Sequence, residues 1–219
     1  MDKSGVKHRI EATGIVPVIR AASAAEARFA AESIAQGGIA IAEITMTVPG
    51  AVEVISELAR TMPEILVGAG TVLNPEAAKR CLDAGAKFLV SPGLNVKTIE
   101  LANRENVPIM AGALTPTEVI TAWEAGADYV KVFPCAQMGG ASYIRALKGP
   151  LPDVPLVPTG GVNLDTAADF ISAGSAALGV GGELLMKELL KTRNAEMLRV
   201  LAGKFVEAVK SAREKKVAV

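Results

Sequence analysis

The chain has 219 residues, 23 basic and 23 acidic side chains, a single histidine and two cysteines. Zero formal net charge argues against nucleic acid or anionic lipid as the main partner, since both select basic patches. One histidine cannot build a multi-histidine zinc site and disfavours a serine or cysteine nucleophile with a histidine base, which leaves Lys, Glu, Asp, Thr and the backbone to carry chemistry.

The start Met1-Asp2-Lys3-Ser4 lacks the apolar stretch of a signal peptide, and no run approaches the roughly 20 apolar residues of a membrane span. Cys81 and Cys135 are 54 positions apart with no CxxC, so they predict free thiols of a reducing compartment. The expectation is a cytoplasmic protein with no membrane partner.

A helix over 2–12 comes first and carries His8 as a surface residue. Short apolar runs then predict strands at 15–20, 39–45, 65–71, 88–92, 108–113, 129–134, 155–159 and 176–181. Each is followed by a helix-like stretch, and strand starts lie 20 to 26 residues apart, the length of one strand, one three-turn helix and two short loops. Helix starts are marked by Asn74-Pro75, Thr115-Pro116 and Asn163, which are N-cap chemistry. Helix ends are marked by Gly37-Gly38, Gly85, Gly126 and Gly174. Trp123 falls on the helix before strand six and is expected to pack between helix and barrel. A terminal helix over about 193–214 closes the chain. Eight such units predict an α/β fold, a (β/α)8 TIM barrel spanning 1–219 as one domain, with a doubly wound open sheet as the alternative.

In a parallel barrel the functional rim is the C-terminal end of the strands. Two ionisable residues sit inside strands. Lys131 lies between Val130 and Val132, on the same face as Tyr129 and Phe133, where an ammonium must be paired, reach solvent or lose its proton. It reads either as an ion-pair partner or as an amine nucleophile. Glu43, among Ile41, Ala42 and Ile44, is its matching acid, either in a salt bridge across the barrel or as a general acid/base. Arg20, ending strand one, can clamp a carboxylate or neutralise Glu43. Thr71, after Gly68-Ala69-Gly70, offers a hydroxyl to a ligand or caps the following helix; Thr45 and Thr47 are weaker candidates.

Two glycine clusters, Thr159-Gly160-Gly161 and Gly179-Val180-Gly181-Gly182, end strands seven and eight, where barrels of this type bind phosphate. Glu183 follows at an expected helix start, where its carboxylate would repel phosphate if turned inward. Cys135 reads as an inert thiol near the rim.

Together, Val16-Pro17-Val18-Ile19-Arg20, Glu43-Ile44-Thr45-Met46-Thr47-Val48-Pro49, Val67-Gly68-Ala69-Gly70-Thr71-Val72, Ser91-Pro92-Gly93, Lys131-Val132-Phe133-Pro134 and Pro158-Thr159-Gly160-Gly161-Val162 resemble the 2-keto-3-deoxy-6-phosphogluconate and 2-keto-4-hydroxyglutarate aldolases over about residues 10–190. The resemblance implies a class I aldolase without metal or other cofactor. Lys131 then forms a Schiff base with a 2-keto acid, and Glu43 moves protons through a water. Thr71, Pro92 and Phe133 surround the pyruvate portion, while Thr159, Gly160, Gly161, Gly181 and Gly182 surround the phosphate. It also implies a cytoplasmic homotrimer.

Some members carry an arginine where this chain has Thr47, so Arg20 is expected to supply the cation for the carboxylate. With Glu183 beside the phosphate pocket, 4-hydroxy-2-ketoglutarate is the rival substrate. A phosphate-binding isomerase or synthase using Glu43 as base, and a non-catalytic barrel, are the remaining alternatives.

Overall fold

The computed structural model describes residues 1–217. Its strands are β1 (Ile15–Ile19), β2 (Ile41–Thr45), β3 (Leu66–Gly70), β4 (Leu89–Val90), β5 (Ile109–Ala113), β6 (Tyr129–Val132), β7 (Leu156–Pro158) and β8 (Leu178–Val180). Every strand residue is buried, as expected of a sheet covered on both faces. The helices are α1 (Lys3–Thr13), α2 (Ala24–Gln36), α3 (Ala51–Thr61), α4 (Pro75–Asp83), α5 (Val96–Arg104), α6 (Pro116–Glu124), α7 (Ala141–Lys148), α8 (Leu164–Ser172), α9 (Lys187–Lys191) and α10 (Ala195–Val217).

All eight predicted strands are present. They run parallel in the order β7-β6-β5-β4-β3-β2-β1-β8. The ends of this order meet through a parallel bridge between Thr159 and Gly179, so the sheet closes and the open doubly wound alternative fails. The closure depends on a missing side chain, because a Cβ at position 179 would collide with the Thr159 hydroxyl.

Local chemistry explains the helix limits. Asn74, Thr115 and Asn163 each accept a backbone N–H from the first helical turn, and Thr115 forms a reciprocal capping box with Glu118. Gly38, Gly85, Gly126 and Gly174 take positive φ just beyond helix ends, the left-handed geometry that glycine adopts without steric cost. The first helix is offset by one residue from expectation because Asp2 is its N-cap, accepting from Gly5 N at 2.9 Å. The last helix begins at Ala195, preceded by the short α9, which the sequence did not announce.

Helix α1 lies across the N-terminal ends of the strands. Val6 and Ile10 are buried beneath it. Asp128, just before β6, binds Lys3 at 2.9 Å and Lys7 at 3.4 Å and accepts Ile109 N at 3.1 Å. Tyr129 donates its hydroxyl to Glu11 at 2.7 Å. Arg213 of α10 donates to the carbonyls of Glu11 and Ala12. The floor of the barrel is thereby sealed, leaving the C-terminal mouth as the open end.

Trp123 departs from expectation. It is 39 % exposed, on the same face of α6 as Ile120. Val119 and Ala122, not Trp123, make the contact with the barrel.

Candidate active site at the barrel mouth

Strands β2 and β6 are four places apart in a ring of eight, so their inward side chains face each other across the lumen. Glu43 is 2 % exposed and Lys131 3 % exposed, with Nζ 3.8 Å from Oε1. That is an ion pair, beyond hydrogen-bonding range, and Glu43 Oε1 has no hydrogen-bond partner. Burial pushes the Glu43 carboxyl above its ordinary range, while the charges of Lys131 and Arg20 pull the other way.

Small residues make room for the pair. Glu43 packs over Gly70, where a Cβ would collide with its carboxylate. Gly112 is Lys131's register partner on β5, and a Cβ there would strike the Pro92–Gly93 backbone. Ser91 fixes that backbone by donating to Gly93 O at 2.8 Å and accepting Gly112 N at 3.2 Å. The half-buried Phe133 ring has Lys131 Nζ 5.6 Å from its centroid, close enough for the ring face to favour a cation.

Thr71 has φ 57°, a left-handed conformation that is costly for a β-branched residue and concentrates at functional positions. It does not cap α4; Asn74 does.

A cavity of about 340 Å³ at the mouth has neither Lys131 nor Glu43 in its lining. Its lining unites most of the predicted mouth: Arg20, Phe133, Thr159, Gly160, Gly161, Gly181 and Gly182. Thr71 and Pro92 follow β3 and β4 and do not line it. Glu183 does, although it lies in a turn four residues before α9, not at a helix start.

The backbone N–H groups of Gly161 and Val162 after β7, and of Gly181, Gly182 and Glu183 after β8, donate to no described residue. All five residues line the cavity. Unpaired donors of this kind, gathered at two loop ends, have the chemistry to receive an anion. Thr159 adds a hydroxyl that is 6 % exposed as a residue and has no partner.

Sequence reasoning missed Lys187, which lines the same cavity; its sequence signal was only a cation four residues after Glu183. Val18 was also missed, although period-two alternation puts it on the face of Arg20. Cys135 is fully buried, and burial pushes its thiol up to about 11, consistent with an inert group. His8 is exposed on α1. Among the described residues no cluster of three His, Cys, Asp or Glu is placed to hold a metal ion.

The structure is a closed (β/α)8 barrel with a buried amine and carboxylate facing each other across its lumen. The family model described as "KDPG and KHG aldolase" matches residues 6–201. The chain belongs to the KDPG and KHG aldolase family.

It is 33 % identical over 196 residues to a 2-dehydro-3-deoxy-phosphogluconate aldolase of Haemophilus influenzae, covering 90 % of this chain and 92 % of that one. It is 32 % identical, with the same coverage, to the KHG/KDPG aldolase of Escherichia coli K12. Among solved structures it resembles KDPG aldolase from Legionella pneumophila, with pyruvate captured as a covalent carbinolamine. That match has a TM-score of 0.84 and 29 % identity, covering 90 % of this chain and 96 % of that one. A 3-hexulose-6-phosphate synthase shares the fold at TM-score 0.71 and 20 % identity, covering 90 % of this chain and 99 % of that one.

Proposed function

We propose that this protein cleaves 2-keto-3-deoxy-6-phosphogluconate to pyruvate and glyceraldehyde 3-phosphate through an imine on Lys131. The observation that carries this reading is the buried Lys131–Glu43 pair, 3.8 Å apart. A proton passed from the ammonium to Glu43 leaves a neutral amine beside a carboxylic acid. The amine attacks the substrate C2 carbonyl, whose oxygen takes a proton to give a carbinolamine, and loss of water then leaves the iminium. The iminium is an electron sink.

Glu43, again a carboxylate, accepts the C4 hydroxyl proton through a water. The C3–C4 electron pair moves into the iminium, releasing the aldehyde and leaving an enamine. Protonation at C3 and hydrolysis return pyruvate and the free lysine. Thr71, Pro92 and Phe133 border the pyruvate portion, and Arg20 supplies a cation for its carboxylate. The cradle around Thr159, Gly160, Gly161, Gly181 and Gly182 takes the phosphate, whose charge suits clustered N–H dipoles.

The covalent carbinolamine captured in the Legionella relative supports the imine route, and the Haemophilus relative's name supports the phosphorylated substrate. Two buried free cysteines suit a reducing cytoplasm, and no helix among the described residues is long and apolar enough to cross a membrane. The exposed Ile120 and Trp123 on α6 suit a face covered by another copy, in keeping with a homotrimer.

A coupled pyruvate-release assay tests the substrate. Faster release from the phosphorylated sugar acid than from 4-hydroxy-2-ketoglutarate is expected, and the reverse order would overturn the assignment.

A further inference from the structure

Three charged side chains line the mouth cavity: Arg20, Glu183 and Lys187. With Arg20 given to the substrate carboxylate, Glu183 and Lys187 are left for the other end of the ligand. Gly181, Gly182 and Glu183 carry three of the five N–H groups that donate to no described residue. Thr159, 6 % exposed, brings an unpartnered hydroxyl to the same lining. These neutral donors suit an anion, but the Glu183 carboxylate does not. A phosphate monoester carries about −1.5 to −2 charge at pH 7, and like charges brought together in one pocket repel. A phosphate seated there needs a cation to offset Glu183.

Four residues apart on one helix, a glutamate and a lysine would neutralise each other. Here α9 starts only at Lys187, and the chain before it folds into a turn in which Leu184 N and Leu185 N both donate to Gly181 O, at 3.1 and 2.9 Å. Leu184, Leu185 and Leu190 are buried, so the turn and α9 are tied to the core on either side of the lysine. Both Glu183 and Lys187 are exposed, and neither side chain forms an ion pair or hydrogen bond with a described residue. The lysine ammonium is a point charge with three donors on a flexible four-carbon stem, which suits it to follow a phosphate.

We propose that Lys187 is a specificity-determining residue: it supplies the cation for the substrate's distal phosphate, offsets Glu183, and sets the preference for the phosphorylated sugar acid over the same acid without phosphate. The proposal rests on the aldolase reading and on the loops after β7 and β8 as the seat of the phosphate.

Pyruvate release from 2-keto-3-deoxy-6-phosphogluconate and from 2-keto-3-deoxygluconate tests it, in the wild type, Lys187→Gln, Lys187→Arg and Glu183→Gln. Both positions are exposed, so folding is not at stake. The readout is the ratio of the two kcat/KM values, phosphorylated over unphosphorylated, in which a defect common to both substrates cancels. Lys187→Gln is expected to lower the ratio about tenfold, the scale of one charge-assisted hydrogen bond. Lys187→Arg is expected to keep it within about threefold of wild type, and Glu183→Gln to raise it about threefold by removing the repulsion. Added salt is expected to lower the wild-type ratio more than that of Lys187→Gln, because screening acts on the charge that the variant lacks.

A ratio unchanged in Lys187→Gln, lowered as far by Lys187→Arg as by Lys187→Gln, or not raised by Glu183→Gln overturns the proposal. The underlying readings fail separately, in the wild type alone: release of pyruvate from neither acid ends the aldolase reading, and equal use of the two acids ends the phosphate reading.

Discussion

The two ends of the barrel use polar residues in opposite ways. At the floor, Asp128 is satisfied by two lysines and a backbone N–H, Tyr129 by Glu11, and Arg213 by the carbonyls of Glu11 and Ala12. At the mouth, Glu43 Oε1 and Thr159 Oγ1 have no hydrogen-bond partner among the described residues, five N–H groups donate to no described residue, and Thr71 is held at positive φ. Two other buried hydroxyls, Thr98 and Ser175, are also unpartnered, but neither lines the mouth cavity. Groups that finish their hydrogen bonding within the fold stabilise it, whereas those left unfinished around one cavity are available to a ligand.

Three substitutions probe that contrast. Glu43→Gln removes the carboxylate facing Lys131 and is expected to lower kcat by about 10²-fold, the scale of general acid–base catalysis. The wild-type pH profile carries a signature of the same group. Glu43 must be ionised to accept a proton, and burial raises its pKa, so the base form is lost at a higher pH than for an ordinary glutamate as the solution is acidified. The acid limb of kcat/KM is expected above the ordinary glutamate range and absent from Glu43→Gln.

Thr71→Gly is expected to lower kcat/KM about tenfold by removing a hydroxyl beside pyruvate. Relief of the left-handed strain is expected to raise stability by about 1 kcal/mol in denaturant unfolding. Loss of activity without gain of stability would mean that the conformation is not strained.

Asp128→Ala, at the floor, is expected to reverse the pattern. Two lysines and a buried N–H lose their acceptor, costing about 2 kcal/mol of stability, while kcat/KM measured well below the unfolding midpoint stays at the wild-type value. A kinetic defect there would show that floor and mouth are coupled.

Much of the fold was legible because its signals are local. Asn74, Thr115 and Asn163 cap helices with their own side chains, and glycines at 38, 85, 126 and 174 supply left-handed turns, so each boundary is set within a few residues of sequence. The Lys131–Glu43 pair was legible for a different reason: a charge inside a short apolar strand has few places to go.

What escaped depends on contacts between distant segments. Asp128 drew no expectation from the sequence, because its partners Lys3 and Lys7 lie more than a hundred residues away. The exposed side of Trp123 is fixed by which face of α6 meets the barrel, and one aromatic does not set a helical phase. The unpaired donors after β7 and β8 are a property of backbone geometry that glycine permits but does not announce.

The central claim is that Lys131 is a nucleophile and not merely the counter-ion of Glu43. Borohydride reduction in the presence of pyruvate, followed by intact mass measurement and peptide mapping, tests it most directly. The account predicts one stable pyruvate-derived adduct per chain, mapped to Lys131 and missing from Lys131→Ala. An unchanged intact mass, or an adduct that persists in Lys131→Ala, would contradict it.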